Sequence, residues 1–175
     1  PQYAQQPQYA QQPQYAQQPQ YAQQPQYAQQ QPVYINNIIQ NPVPRIQLPT
    51  NRNLGMAILL TIVTFGIYAI VLFCKISKEI NIVASKYDGK QTTHYMVAVL
   101  LSGITLGIYP LIWFSNLSER IGNELTRRGS TYNFGASTFW LWYVLGCLIL
   151  VGPFVYLAKL LKAMDIINAD YNVKG

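Results

Sequence analysis

Residues 54–73, 95–114 and 139–158 are three stretches of twenty residues, and none contains Asp, Glu, Lys or Arg. The hydrocarbon core of a bilayer takes about 20 apolar residues of helix to cross. Three such blocks in 175 residues make lipid the first partner to consider. The expected fold is therefore an all-α integral membrane protein. It would have three hydrophobic helical segments, spanning or re-entrant, with amphipathic juxtamembrane helices.

Composition alone hides this pattern. Half the residues are hydrophobic, yet mean hydropathy is only +0.07. A polar tail dilutes the apolar body: residues 1–30 are five copies of P-Q-Y-A-Q-Q, and Gln31-Pro32-Val33-Tyr34 continues them imperfectly. A proline in every repeat removes a backbone donor, and Gln and Ala bury too little surface to offset ordering entropy. The tail at 1–34 is expected to be disordered or polyproline-like. Tyr3, Tyr9, Tyr15, Tyr21 and Tyr27 would be evenly spaced stickers for self-association or for tail-binding partners. Pro42, Pro44 and Pro49 mark 35–53 as a linker.

The chain carries net charge +6 and a pI of about 9.3. Its basic residues border the apolar blocks, where anionic headgroups attract them. No basic stripe with interleaved aromatics lies on a soluble domain, so nucleic acid is not expected. Cys74 and Cys147 lie in or beside apolar blocks without C-x-x-C spacing, and read as small hydrophobes.

The body contains a duplication. Leu59–Tyr68 lies over Leu100–Tyr109 at an offset of 41, each ending in Thr-x-Gly-Ile-Tyr. The match continues through Phe73/Phe114, Ser77/Ser118 and Ile80/Ile121. Each copy closes with an amphipathic segment of helical period: Ile76, Ile80, Val83 and Tyr87 in one, Leu117, Ile121 and Leu125 in the other. These features divide the chain into membrane repeat 1 (54–94), membrane repeat 2 (95–131), and a third membrane segment with a C-terminal amphipathic helix (132–175).

The paired T-[FL]-G-I-Y segments, with their K-I-S-K-E-I-N and N-L-S-E-R-I-G continuations, resemble a family of small prokaryotic membrane proteins. That family is known as domain of unknown function 4234. The resemblance covers about 54–165 and implies residence in a membrane, most simply the prokaryotic cytoplasmic membrane, but no activity.

Two topologies fit. If all three blocks span, the basic residues divide five to seven between the two faces, a weak charge bias for a spanning protein. If each block is a re-entrant hairpin broken at Thr64-Phe65-Gly66, Thr105-Leu106-Gly107 and Gly152-Pro153, all basic segments share one face. A hairpin apex would expose backbone groups to hydrocarbon unless they are paired. Spanning helices are the expectation on that ground, and re-entrant hairpins the alternative.

No catalytic set, metal-ligand spacing or cofactor motif stands out, so no enzyme activity and no cofactor are expected. Thr64, Gly66, Tyr68, Thr105, Gly107 and Tyr109 are candidates for a helix-packing or oligomer interface, small glycines letting another backbone approach. Trp113, Trp140 and Trp142, with Lys75, Lys78, Arg120, Arg127 and Arg128, are candidates for the membrane interface. Lys78/Glu79 and Glu119/Arg120 read as surface pairs. The functional expectation is a non-enzymatic, self-associating membrane scaffold or membrane-shaping protein that forms homo-oligomers. A small oligomeric channel, transporter component or envelope sensor is the alternative.

Overall fold

The computed structural model describes Pro44 and residues 46–175. The tyrosine stickers and the rest of the tail lie outside the described residues. All regular structure among the described residues is helical: α1 Leu54–Val63, α2 Ile67–Asp88, α3 Tyr95–Ile104, α4 Ile108–Arg127, the single turn α5 Ala136–Thr138, and α6 Gly152–Lys174. Between α5 and α6 the chain runs as a π-helix over Phe139–Val144 and a 3-10 helix over Leu145–Ile149.

The sequence repeat reappears residue for residue. α3 begins and ends 41 residues after α1, and α4 begins 41 residues after α2. Each pair is a helical hairpin with a short arm and a long arm. Asn53 starts the first, its side chain accepting from the Met56 amide at 3.0 Å, and Gly89 ends it in the left-handed conformation.

A third copy exists that the sequence conceals. α5 begins 41 residues after α3, but α6 begins 44 residues after α4. The surplus is taken up by the wider π turn and by the 3-10 turn. The arms of this hairpin touch backbone to backbone: a Cβ on Gly152 would collide with the Cα of Gly146. Pro153 occupies the first turn of α6, where its missing N–H is not needed.

The long arms form the core. At positions 76, 77, 79, 80, 83 and 84 of α2 every residue is buried. So are their counterparts 41 residues on in α4, and those 43 further on in α6. Ile76, Leu117 and Leu160 are one such trio, Ile80, Ile121 and Met164 another, all fully buried. An aromatic cluster joins the hairpins above them. Phe73 meets Phe114 edge-on at 4.9 Å, and Phe139 meets Tyr156 at 5.5 Å.

These contacts fix direction. Phe73 pairs with Phe114 near the start of α2 and α4, and Asn81 pairs with Arg120 further along both. Phe114 lies against Tyr156 and, one length on, Arg128 reaches Asp170. Partners advance together, so α2, α4 and α6 run parallel. The three hairpin tips therefore sit at one end of the bundle. Among the described residues, no helix is long and apolar enough to cross a membrane. The expectation of three spanning helices is corrected by the breaks at Thr64–Gly66, Thr105–Gly107 and Leu150–Val151, which turn each apolar block back on itself.

Candidate membrane-insertion surface

Each tip is built around a residue that sequence logic would not put there. Phe65, Leu106 and Leu150 all have φ near +50 to +58°, a left-handed conformation that bulky side chains rarely adopt. Their relative exposures are 98%, 91% and 78%. Around them Ile62, Val63, Ile67, Ile104, Ile108, Leu148, Ile149 and Val151 are also exposed. A water-facing turn would carry Gly, Asn or Asp at such positions. Here three strained turns present their largest apolar groups outward, at the same end of the bundle.

Thr64 and Thr105 close the tips. The Thr64 hydroxyl donates to the Leu60 carbonyl at 2.7 Å and accepts from the Tyr68 amide at 2.9 Å. Thr105 does the same with Leu101 and Tyr109, at 2.8 and 3.1 Å. The Gly66 amide reaches back to the Thr61 carbonyl at 2.8 Å, and Gly107 to Ser102 at 2.9 Å. Phe65 and Ile67 donate to Ile62 and Thr64. Every amide from Thr64 to Tyr68 thus has a partner inside the turn. At the first tip the Thr-x-Gly sequence pairs the amides that a re-entrant apex would otherwise leave bare in hydrocarbon.

This arrangement reassigns the motif residues. Thr64 and Tyr68 do not share a helix face, because Thr64 ends α1 and Tyr68 opens α2. Gly66 and Gly107 have φ of +91° and +83°, and a Cβ on either would meet nothing within 4 Å. Within this chain they supply backbone conformation rather than close packing.

Among the described residues the charge lies away from the tips, and most of it is consumed internally. Arg52 pairs with Glu79 and, at 2.7 Å, with Asp165, while Asn168 donates to Glu79 at 3.0 Å. The start of the first hairpin is thereby tied to α2 and α6. Arg120 is 8% exposed and donates to Asp88, Asn81, Thr92, Ser85 and the Lys90 carbonyl. Burial pushes the Asp88 pKa up, but Arg120 and the Lys90 amide outweigh it and hold the carboxyl below its ordinary value. Glu124 takes both Arg127 and Arg128, and Arg128 reaches on to Asp170 at 2.6 Å.

The candidate interface residues therefore divide. Arg120 and Arg128 are buried on carboxylates of the bundle, so the headgroup reading is corrected for them; Arg127 pairs with Glu124 but keeps 36% of its side chain exposed. Trp113 is also corrected: it is 4% exposed, packed on Tyr95 at 4.8 Å and donating to the Thr93 carbonyl. Trp140 is exposed and Trp142 half-buried. Lys75 and Lys78 are exposed and have no carboxylate partner among the described residues. The pairs read as Lys78/Glu79 and Glu119/Arg120 do not form; both buried partners reach across the bundle instead. Their burial could be read only from the core register, in which Glu79 and Arg120 occupy equivalent positions 41 residues apart. Cys74 approaches His94 Nδ1 at 3.6 Å, a contact that twenty intervening residues conceal in the sequence. A groove of about 620 Å³ lies between the α2–α3 connection and α4, lined by Thr92, Asn116 and Glu119 and, nearer the tip, by Tyr109 and Ile112.

A family model described as a domain of unknown function, DUF4234, matches this chain twice, over residues 52–123 and 96–166. Each match takes in two successive hairpins, so the concealed third copy falls under the same model as the second. No curated protein and no solved structure matches the chain.

Proposed function

This chain belongs to the DUF4234 family, and we propose that it is a non-enzymatic membrane-shaping scaffold whose three hairpins enter one leaflet of a membrane without crossing it. The observation that carries this reading is the common end at which Phe65, Leu106 and Leu150 stand exposed on strained turns. A ten-residue arm reaches about 15 Å at about 1.5 Å per residue, half of a hydrocarbon core of about 30 Å. Three such wedges would widen the leaflet that receives them and leave the other untouched, which favours curved membrane. The prokaryotic cytoplasmic membrane is the setting the reading calls for. The P-Q-Y-A-Q-Q repeats would act as a second, self-associating element that gathers copies of the chain.

Partial insertion leaves no route for a solute across the bilayer, which sets this reading apart from a channel, transporter or sensor. The test is reconstitution into vesicles, imaged by electron microscopy and assayed in parallel for ion leakage. Tubules, small vesicles or ordered arrays without leakage are expected. Conductance or solute flux from vesicles of unchanged shape would overturn the proposal.

A further inference from the structure

The internal ion pairs leave an ordered residue of charge. The chain has six acidic residues, all among those described. Glu79, Asp88, Glu124, Asp165 and Asp170 are paired with arginines, and Glu119 alone is not. Six lysines, Lys75, Lys78, Lys86, Lys90, Lys159 and Lys162, have no carboxylate partner among the described residues, and four of them, Lys75, Lys78, Lys159 and Lys162, lie nearer the tips along α2 and α6. These four lysines are not scattered. The offsets that align the three buried stripes place Lys75 with Asn116 and Lys159, and Lys78 with Glu119 and Lys162. Copies one and three carry lysine at both positions; the middle copy carries Asn and Glu beside the groove.

Their depth is set by the helices. Lys75 and Lys78 stand about 12 and 16 Å along α2 from its first residue, and Lys159 and Lys162 about 10 and 15 Å along α6, at about 1.5 Å per residue. A leaflet's hydrocarbon is about 15 Å deep, and lysine stems extend along apolar surface to put the ammonium in the polar layer. We propose that Lys75, Lys78, Lys159 and Lys162 form a belt that binds the anionic headgroups of the leaflet the hairpins enter. This rests on the insertion reading and adds a choice of lipid to it. Each lysine near an anionic surface contributes about fivefold in partitioning, or about 1 kcal/mol. Four give about 10²- to 10³-fold, weakening as salt rises.

Vesicle flotation of the full chain tests this, using phosphatidylcholine alone and an equal mixture of phosphatidylcholine and phosphatidylglycerol. The wild type should bind both and prefer the mixture. The combined variant K75Q/K78Q/K159Q/K162Q should lose about 10²-fold or more of that preference and bind phosphatidylcholine as before. N116K/E119K, which completes the belt in the middle copy, should raise the preference. Lys86→Gln and Lys90→Gln, both far beyond the headgroup layer on α2 and its exit, should leave it unchanged. Wild-type binding to neither vesicle would sink insertion itself. Equal binding to both, or a preference that ignores the four substitutions and the two additions, would overturn the belt while leaving insertion standing.

Discussion

Phe65→Asp separates a tip that lies in hydrocarbon from one that lies in water. Phe65 is 98% exposed, so its side chain contributes almost no packing to the fold. Its φ of +50° suits Asp better than Phe. Stability in detergent should therefore change by no more than about 0.5 kcal/mol. Partitioning should change far more. Withdrawing a fully buried Phe forgoes about 1.5–3 kcal/mol, and an Asp near the bilayer centre adds about 2.5–3.5 kcal/mol against insertion. The sum, about 4–6.5 kcal/mol, corresponds to about 10³- to 10⁵-fold weaker binding. Flotation with phosphatidylcholine vesicles measures this, with thermal unfolding by circular dichroism as the stability control. Asn123→Asp, exposed on the long arm of the second hairpin, should float as the wild type. Undiminished flotation of Phe65→Asp would refute tip insertion, and parallel losses of flotation and stability would show that Phe65 packs within the fold.

Three further outcomes follow from the same geometry. Gly66→Ala and Gly107→Ala force alanine into the left-handed region and should each destabilise by about 1–2 kcal/mol; Gly103→Ala, inside α3 with open space around it, should instead be neutral or stabilising by up to about 1 kcal/mol, all measured by chemical denaturation in micelles. Arg120→Met strands the Asp88 carboxylate and its neighbouring acceptors and should cost about 2–4 kcal/mol; an unchanged midpoint would deny the network a structural role. Asp88 and Asp170 have folded pKa values below the ordinary 3.8. The stability they contribute is present above their unfolded pKa and is lost as pH falls through the lower folded values. Melting temperature should hold down to about pH 4 and decline below it, and in Arg120→Met part of that acid dependence should vanish.

The helical class and the 41-residue offset were legible because both are written in apolar periodicity and in the paired Thr-x-Gly-Ile-Tyr. The hairpin was harder to read. Glycine is common in spanning helices, and nothing in the linear order shows that Thr64 can serve the helices on both sides of it at once. The third copy escaped because it has no Thr-x-Gly and because extra residues, absorbed by a π turn, shift its register from 41 to 43. The ion pairs escaped for a different reason. Arg52 meets Asp165 across more than a hundred residues, while the neighbours it was natural to pair, Lys78 with Glu79, point to opposite environments. Once three copies are aligned, Lys159 and Lys162 emerge as the counterparts of Lys75 and Lys78, a relation two copies could not reveal.

If the three hairpins insert without crossing, each enters and leaves by the same face of the membrane. With Cys74 and Cys147 replaced by Ser, single cysteines at Gln91 and Thr131, in the connections after the first and second hairpins, can be probed with a membrane-impermeant thiol reagent in sealed and in opened vesicles. Both should become labelled under the same condition, because no odd number of crossings separates them. Labelling of one from outside and the other only after opening would place the second hairpin across the bilayer and contradict insertion without crossing.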